Sequence, residues 1–345
     1  MNRSKEQKSR RRTPWDKKGE RSAVQEFLYQ HYKNQYEARH PGLTETGETA
    51  VINAYEPEEC PHCGGEKYRR NGYTMNGVQR YKCSGCGQTF TPVTKTIFEG
   101  HKISISEWME YSMNIFRYVS INADSWNNRN AFTTSRYWLE KLFLVLESYQ
   151  SELQLSGKVW LDETFYSVRS EDIARTEEGN KLRGLSVNQM CIGVACDESC
   201  TVCVFEGYGK PSQKKTYESF KSHIAVGSTL IHDNEKAHKK LVSELQLNSI
   251  AYDSNEIKRL IDRDNPLNRV NRIHFLLKSF LHAHTSFDRN KIQGYLNLFS
   301  FVMNPPSDHL EKLEILLDFA FRIPKTLRYR DFFADITSSS TPLCK

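Results

Sequence analysis

Two groups of residues in this chain have the type and spacing for chemistry. The first is a pair of C-x-x-C motifs, Cys60-Pro61-His62-Cys63 and Cys83-Ser84-Gly85-Cys86, each followed by glycine and separated by nineteen residues. Zinc takes four thiolates in a tetrahedron at about 2.3 Å, and a C-x-x-C turn presents two sulfurs to one point. The spacing therefore predicts a structural zinc site on Cys60, Cys63, Cys83 and Cys86. Two disulfides or four buried thiols are the alternatives. A spacer this short does not fold without the metal, and no apolar secretory segment opens the sequence.

The second group is acidic. Asp162 lies in the apolar run Lys158–Phe165 and Asp233 ends Ser228–Asp233, both expected to be strands with the aspartates at their C-terminal ends. A lone aspartate there is usually a turn residue. Two on neighbouring strands can hold magnesium or manganese, which prefer hard oxygen ligands, and paired ions can clamp a phosphodiester. A helix expected over about Arg269–His284 offers Asn271, His274 and Lys278 on one face, with Ile273, Leu276, Leu277, Phe280 and Leu281 on the apolar side. Asn271 can give a metal a neutral oxygen, Lys278 can meet phosphate, and His274 can orient water or touch nucleic acid. A plain amphipathic helix with a solvated face explains the same spacing.

Several elements must position these groups. The order expected after residue 157 is three strands, helix, strand, helix, strand, helix, which fits an α/β ribonuclease-H-like mixed sheet flanked by helices. Ahead of it, residues 104–150 read as helix, a polar break at Ser120–Asn130, and helix again. That suits a helix-turn-helix reader and a simple helical hairpin equally. Between the cysteine pairs, two basic-aromatic strands flank Asn76-Gly77, a strong hairpin signal. The expected domains are a disordered basic tail (1–22), an N-terminal helical segment (23–56), the zinc ribbon (57–98), a helical DNA-binding region (99–152), the ribonuclease-H-like domain (153–305) and a C-terminal helix and tail (306–345).

Charge is unevenly spread along the chain. The net charge is +6, and residues 1–21 carry nine basic and three acidic residues, which is the whole of that excess. Such a tail is either solvated or a non-specific phosphate contact. No apolar stretch is long enough for a membrane helix. The nine cysteines are expected to be reduced, in a cytoplasmic setting. Cys191, Cys196, Cys200 and Cys203 lack two knuckles and read as buried thiols. Glu163 should face away from Asp162 and is read as structural. Glu235 is a candidate spare ligand.

The run Asn268-Arg269-Val270-Asn271-Arg272-Ile273-His274-Phe275-Leu276-Leu277-Lys278 resembles the N-x-x-H-x-x-x-K helix of bacterial insertion-sequence transposases that carry an N-terminal zinc ribbon and a ribonuclease-H-type core. Trp160–Thr164 is similar to their first catalytic strand, Ile231–Asp233 to the second, and Gln293–Phe299 to the helix that follows. Cys83–Phe90 is similar to the end of their ribbon. The resemblance covers about 57–335, with the motifs in the family's order. It implies cleavage of double-stranded DNA at element ends, then joining of the freed 3′ hydroxyl to target DNA. It implies Asp162 and Asp233 as the first two members of the catalytic triad. Asn271 falls where many related enzymes place glutamate. At least two copies on paired terminal inverted repeats, and a place at the bacterial nucleoid, are implied as well. Two other readings stay open: a DNA-binding protein derived from a transposase that no longer cuts, and a nuclease of the same fold.

Overall fold

The computed structural model describes residues 22–24, 26–27, 30–31, 45–101, 104–127, 131–257, 259–284 and 288–332. The basic tail, and most of the helix expected over about 23–38, lie outside them. The chain divides into two compact units, 1–141 with 313–345, and 142–312.

The first unit begins with a helix, α1 (Glu45–Ala54), where the sequence offers little periodicity. A three-stranded antiparallel sheet follows: β1 (Tyr68–Tyr73), β2 (Gln79–Cys83) and β3 (Thr89–Phe90), in the order β1-β2-β3. The expected hairpin turn is present, with the Gly77 N–H donating to Thr74 and Thr74 N–H to Val78. Tyr81, Phe90 and Tyr68 pack against Cys60 and Cys83 as a small core.

Three helices come next: α2 (Ile105–Phe116), α3 (Ile121–Asn127) and α4 (Phe132–Val145). Ser104 caps α2, accepting from the Glu107 N–H at 3.3 Å, as serine favours at this position. The supposed break at Ser120–Asn130 instead contains α3. Its run of Asn, Asp and Ser competes with the backbone for hydrogen bonds and so reads as a turn. Tertiary contacts override that: buried Asp124 accepts from Asn114 of α2 at 3.0 Å and from Ser135 of α4 at 3.1 Å. Burial pushes the Asp124 carboxyl up to about 6, against those two donors.

The second unit is a mixed α/β layer structure built on five strands. They are β4 (Lys158–Ser167), β5 (Gln189–Cys196), β6 (Thr201–Tyr208), β7 (Thr229–Asp233) and β8 (Asn248–Tyr252), in the order β6-β5-β4-β7-β8. β4, β5 and β6 are antiparallel, while β4, β7 and β8 are parallel. Helices α5 (Gln213–Phe220) and α6 (Lys239–Glu244) follow β6 and β7; α7 (Ser254–Ile257) follows β8. Then come α8 (Asn268–Ala283) and α9 (Ile292–Met303), while α10 (His309–Arg322) falls mostly in the C-terminal segment of the first unit.

Strand alternation sorts β4 between two layers. Val159 and Leu161 are fully buried with Phe220, Ile224, Leu230 and Leu241, in the core beneath α5 and α6. The intervening residues face α8: Trp160 donates its indole N–H to the Pro266 carbonyl at 3.0 Å, and the Arg269 guanidinium lies over its ring. Leu161 alone, fully buried, contributes about 2 kcal/mol of burial. At the other end of the sheet, Gln150 uses its whole amide. It donates to the Cys203 carbonyl and Asn297, and accepts from the Cys203 N–H and the Ser300 hydroxyl. This ties the segment after α4 to β6 and α9.

Candidate metal-binding sites

The four-cysteine cluster forms as the spacing predicts. All four sulfurs lie within 4.8 Å of one another. Cys60 and Cys86 Sγ are 3.7 Å apart, and Cys63 and Cys83 Sγ 3.6 Å. A tetrahedron with 2.3 Å bonds has edges of about 3.8 Å, so the donor set fits zinc. Each knuckle turns back on itself through Gly64 N–H to Cys60 O and Gly87 N–H to Cys83 O. Both glycines have positive φ, +70° and +72°, a conformation a Cβ would strain. The Cys86 and Gly85 amides point at Cys83 Sγ and pull its thiol down to about 6. A metal such as zinc suits these four residues.

The acidic group is assembled by strand register. Leu161 of β4 stands opposite His232 of β7 in the parallel ladder. One residue further along, Asp162 lies on the side that α8 covers, and Asp233, the last residue of β7, is close enough for its charge to act on Asp162. β7 stops at Asp233 but β4 continues to Ser167, so Asp162 sits mid-strand rather than at the C-terminal end its sequence suggests. The antiparallel partner β5 explains the extension, since it pairs with β4 from Trp160 through Ser167. Burial and the Asp233 charge, with Glu163 adding, push the Asp162 carboxyl up to about 7.

Helix α8 lies over this face. His274 Nδ1 is 3.9 Å from Asp162 Oδ2. The polar face drawn from spacing needs correction here. His274 is buried alongside Val270, Ile273, Leu277, Phe280 and Leu281, whereas Phe275 is 70% exposed. Burial, with the Lys278 ammonium one turn on, lowers the His274 imidazole to about 4, so it is neutral at pH 7; its Nε2 has no hydrogen-bond partner. Asn271 and Lys278 flank His274 by one turn on either side, both exposed. The structure thus sets Asp162 against His274, with the Asp233 charge near enough to raise the Asp162 carboxyl, and places Asn271 and Lys278 on the adjoining turns of α8.

Glu163 faces away from Asp162, as alternation requires, and its side chain is buried. Its carboxylate lies 3.0 Å from His238 Nε2, with the His238 side chain fully buried and that of Glu163 4% exposed. His238 Nδ1 in turn lies 2.9 Å from His232 Nδ1 and 3.9 Å from Asp233 Oδ1. His232, Asp233 and His238 bring three ligand atoms within 4.8 Å of one another. Sequence reasoning missed both histidines, although the pattern His232-Asp233-x4-His238 was available as a signal. Nearby, Glu206 of β6 is also buried and pushed up to about 7 by burial and by Glu163. Glu235, the candidate spare ligand, instead caps the short turn Lys236–His238 with its own carboxylate. Cys191, Cys196 and Cys203 are buried thiols, raised by burial above the usual thiol range, and Cys200 is half-buried. They do not form a metal-ligand group among the described residues.

No protein-family model matches the chain, and no curated protein matches it significantly. Among the described residues, no helix is long and apolar enough to cross a membrane.

Proposed function

We propose that this protein is a metal-dependent DNA transposase, with a ribonuclease-H-like core in its second unit and a zinc ribbon in its first. The observation that carries this reading is the placement of Asp162 beside Asp233 on adjacent parallel strands, beneath His274. The sheet order β6-β5-β4-β7-β8, antiparallel on one side of β4 and parallel on the other, supports the ribonuclease-H-like reading. The motif resemblance supplies the transposase class, and the basic 1–21 segment suits a DNA partner.

In this reading Asp162 and Asp233 hold divalent cations, with Asn271 as the third ligand. Bound magnesium or manganese supplies Lewis-acid stabilisation of the attacking and leaving phosphodiester oxygens. The residues themselves do the rest. The Asp162–Asp233 repulsion keeps a site that a dication relieves. Neutral His274 fixes the Asp162 edge of the site without competing as a cation. Exposed Lys278 meets a DNA phosphate on the α8 side. The zinc ribbon and helices α2–α4, the helix-turn-helix candidate, hold the element ends, with two copies of the chain on paired ends.

The test uses full-length protein with linear duplexes ending in the sequences that flank its coding region, in manganese. The expected result is a nick at the element end and joining of a supplied 3′-hydroxyl end to plasmid target, both abolished in Asp162→Ala and Asp233→Ala. Nicking without joining favours the nuclease reading. Binding without nicking in the wild type favours the non-catalytic one. Equal cutting by wild type and both variants removes the catalytic assignment.

A further inference from the structure

We infer that His232, His238 and Asp233 form a further metal site, which takes a nitrogen-preferring transition ion of the zinc and cobalt class. It is separate from the four thiolates and does not use Asp162. The inference stands on these three side chains and does not need the transposase reading. β7 stops at Asp233, and Glu235 caps the short turn Lys236–His238 that follows the strand end. The turn brings His238 Nδ1 to 2.9 Å from His232 Nδ1 and 3.9 Å from Asp233 Oδ1. Three ligand atoms thus lie within 4.8 Å of one another, from two buried histidines and a half-buried aspartate. Zinc bonds of about 2.0–2.2 Å set tetrahedral donor separations of about 3.4 Å, so both measured distances fall within about half an ångström of the requirement.

The outer contacts are those of ligating histidines. A histidine that binds metal through one ring nitrogen donates its other N–H to a carboxylate, carbonyl or water, which fixes the ring. His238 Nε2 lies 3.0 Å from the Glu163 carboxylate, and that side chain is 4% exposed. His232 Nε2 lies 2.9 Å from Ser249 Oγ. Both rings therefore have a partner at Nε2 and turn Nδ1 towards each other. Without an ion, the Nδ1–H of one ring donates to the Nδ1 of the other, which accounts for their separation. With an ion, the His232 proton sits on Nε2 and donates to Ser249, and both Nδ1 lone pairs are free to bind. Neither ring changes charge in that exchange. Two imidazole nitrogens rank the site for cobalt and zinc ahead of manganese. Three protein ligands leave a fourth position open, as in catalytic zinc sites. With three ligands against four thiolates, the site fills after the ribbon.

The experiment is a Co²⁺ titration of the full chain with one zinc already on its thiolates, read by visible absorption, with folding checked by circular dichroism. The expected result is one further cobalt per chain, with the weak bands of nitrogen and oxygen ligands and no thiolate charge-transfer band. It should be lost in His238→Gln and Asp233→Asn, weakened about tenfold or more in Glu163→Gln, and kept in Asp162→Asn. A wild type that takes up no further cobalt overturns the proposal, and so does a folded His238→Gln or Asp233→Asn that binds it as the wild type does. Loss in Asp162→Asn would place the ion between the two aspartates, which overturns this site and leaves the acidic pair as cation ligands. Should His238→Gln fail to fold, proton magnetic resonance of the cobalt-loaded wild type decides. Two exchangeable, paramagnetically shifted imidazole N–H signals are expected, one from each Nε2; fewer than two overturns the proposal. Failure of the duplex to be nicked in the test of the transposase reading would leave all of these outcomes unchanged.

Discussion

Asp162→Asn should stabilise the metal-free protein, and by an amount that depends on pH. The Asp162 carboxyl is pushed up to about 7 from 3.8 by burial first and the Asp233 charge second. A shift of about 3 units at 1.36 kcal/mol each corresponds to about 4 kcal/mol of strain in the ionised, metal-free site. The sign follows from proton linkage. Between pH 4 and 7 the folded state holds a proton on Asp162 that the unfolded chain has lost, so stability falls as pH rises through that window. At pH 8 the full cost is present; below pH 4 none of it is. Asparagine keeps the shape and removes the charge. The variant should therefore gain up to about 4 kcal/mol over wild type at pH 8 and almost nothing at pH 4. Hydrogen exchange of peptides from β4 and β7, corrected for intrinsic rates and measured without added magnesium, reports the second unit by itself. Added manganese should slow exchange in the wild type and leave the variant unchanged. An Asp162→Asn protein no more stable than wild type at pH 8, or one with the same gain at both pH values, would refute the electrostatic reasoning.

Further outcomes are open to measurement. Cys83→Ser should reduce bound zinc from one equivalent per chain, read by a colorimetric chelator, and expose the β1–β2 hairpin to fast exchange, because structural zinc contributes on the order of 10 kcal/mol to such small modules. Gly193→Ala should destabilise the second unit by about 1–3 kcal/mol in urea melts, since a Cβ there would sit 2.6 Å from the Phe220 ring and 2.7 Å from Glu206 Oε1. Gln150→Leu should cost at least about 2 kcal/mol in the same melts, because it strands the Cys203 N–H and its partners without water. Asn271→Asp, which adds a charge to an exposed turn of α8, should tighten manganese binding severalfold with little change in stability; weaker binding would exclude Asn271 as a ligand.

The readable parts of this protein are those governed by local rules. Tetrahedral zinc chemistry needs two tight turns, and Cys60–Gly64 and Cys83–Gly87 carry them in five residues each. The strands β4, β5, β6 and β7 were legible as short apolar runs, and α8 and α9 as amphipathic periods. Asp162 and Asp233 could be picked out because each follows an apolar strand sequence, though not the continuation of β4 to Ser167, which depends on where β5 begins. Polar runs misled: α3 looks like a break because Asp124 is a turn former until Asn114 and Ser135 arrive to bond it.

By itself, then, the sequence determined the four-thiolate module, the identity of the acidic pair and the period of the helix that covers it, since each is written in spacings of a few residues. Only the tertiary structure decided that Leu161 pairs with His232, which sets Asp162 beside Asp233, and that His274 turns inward. It alone joined Glu163 to His238 across 75 positions. Such contacts are fixed by strand register and helix packing, which depend on the burial of the whole apolar core and leave no mark on the residues immediately around them.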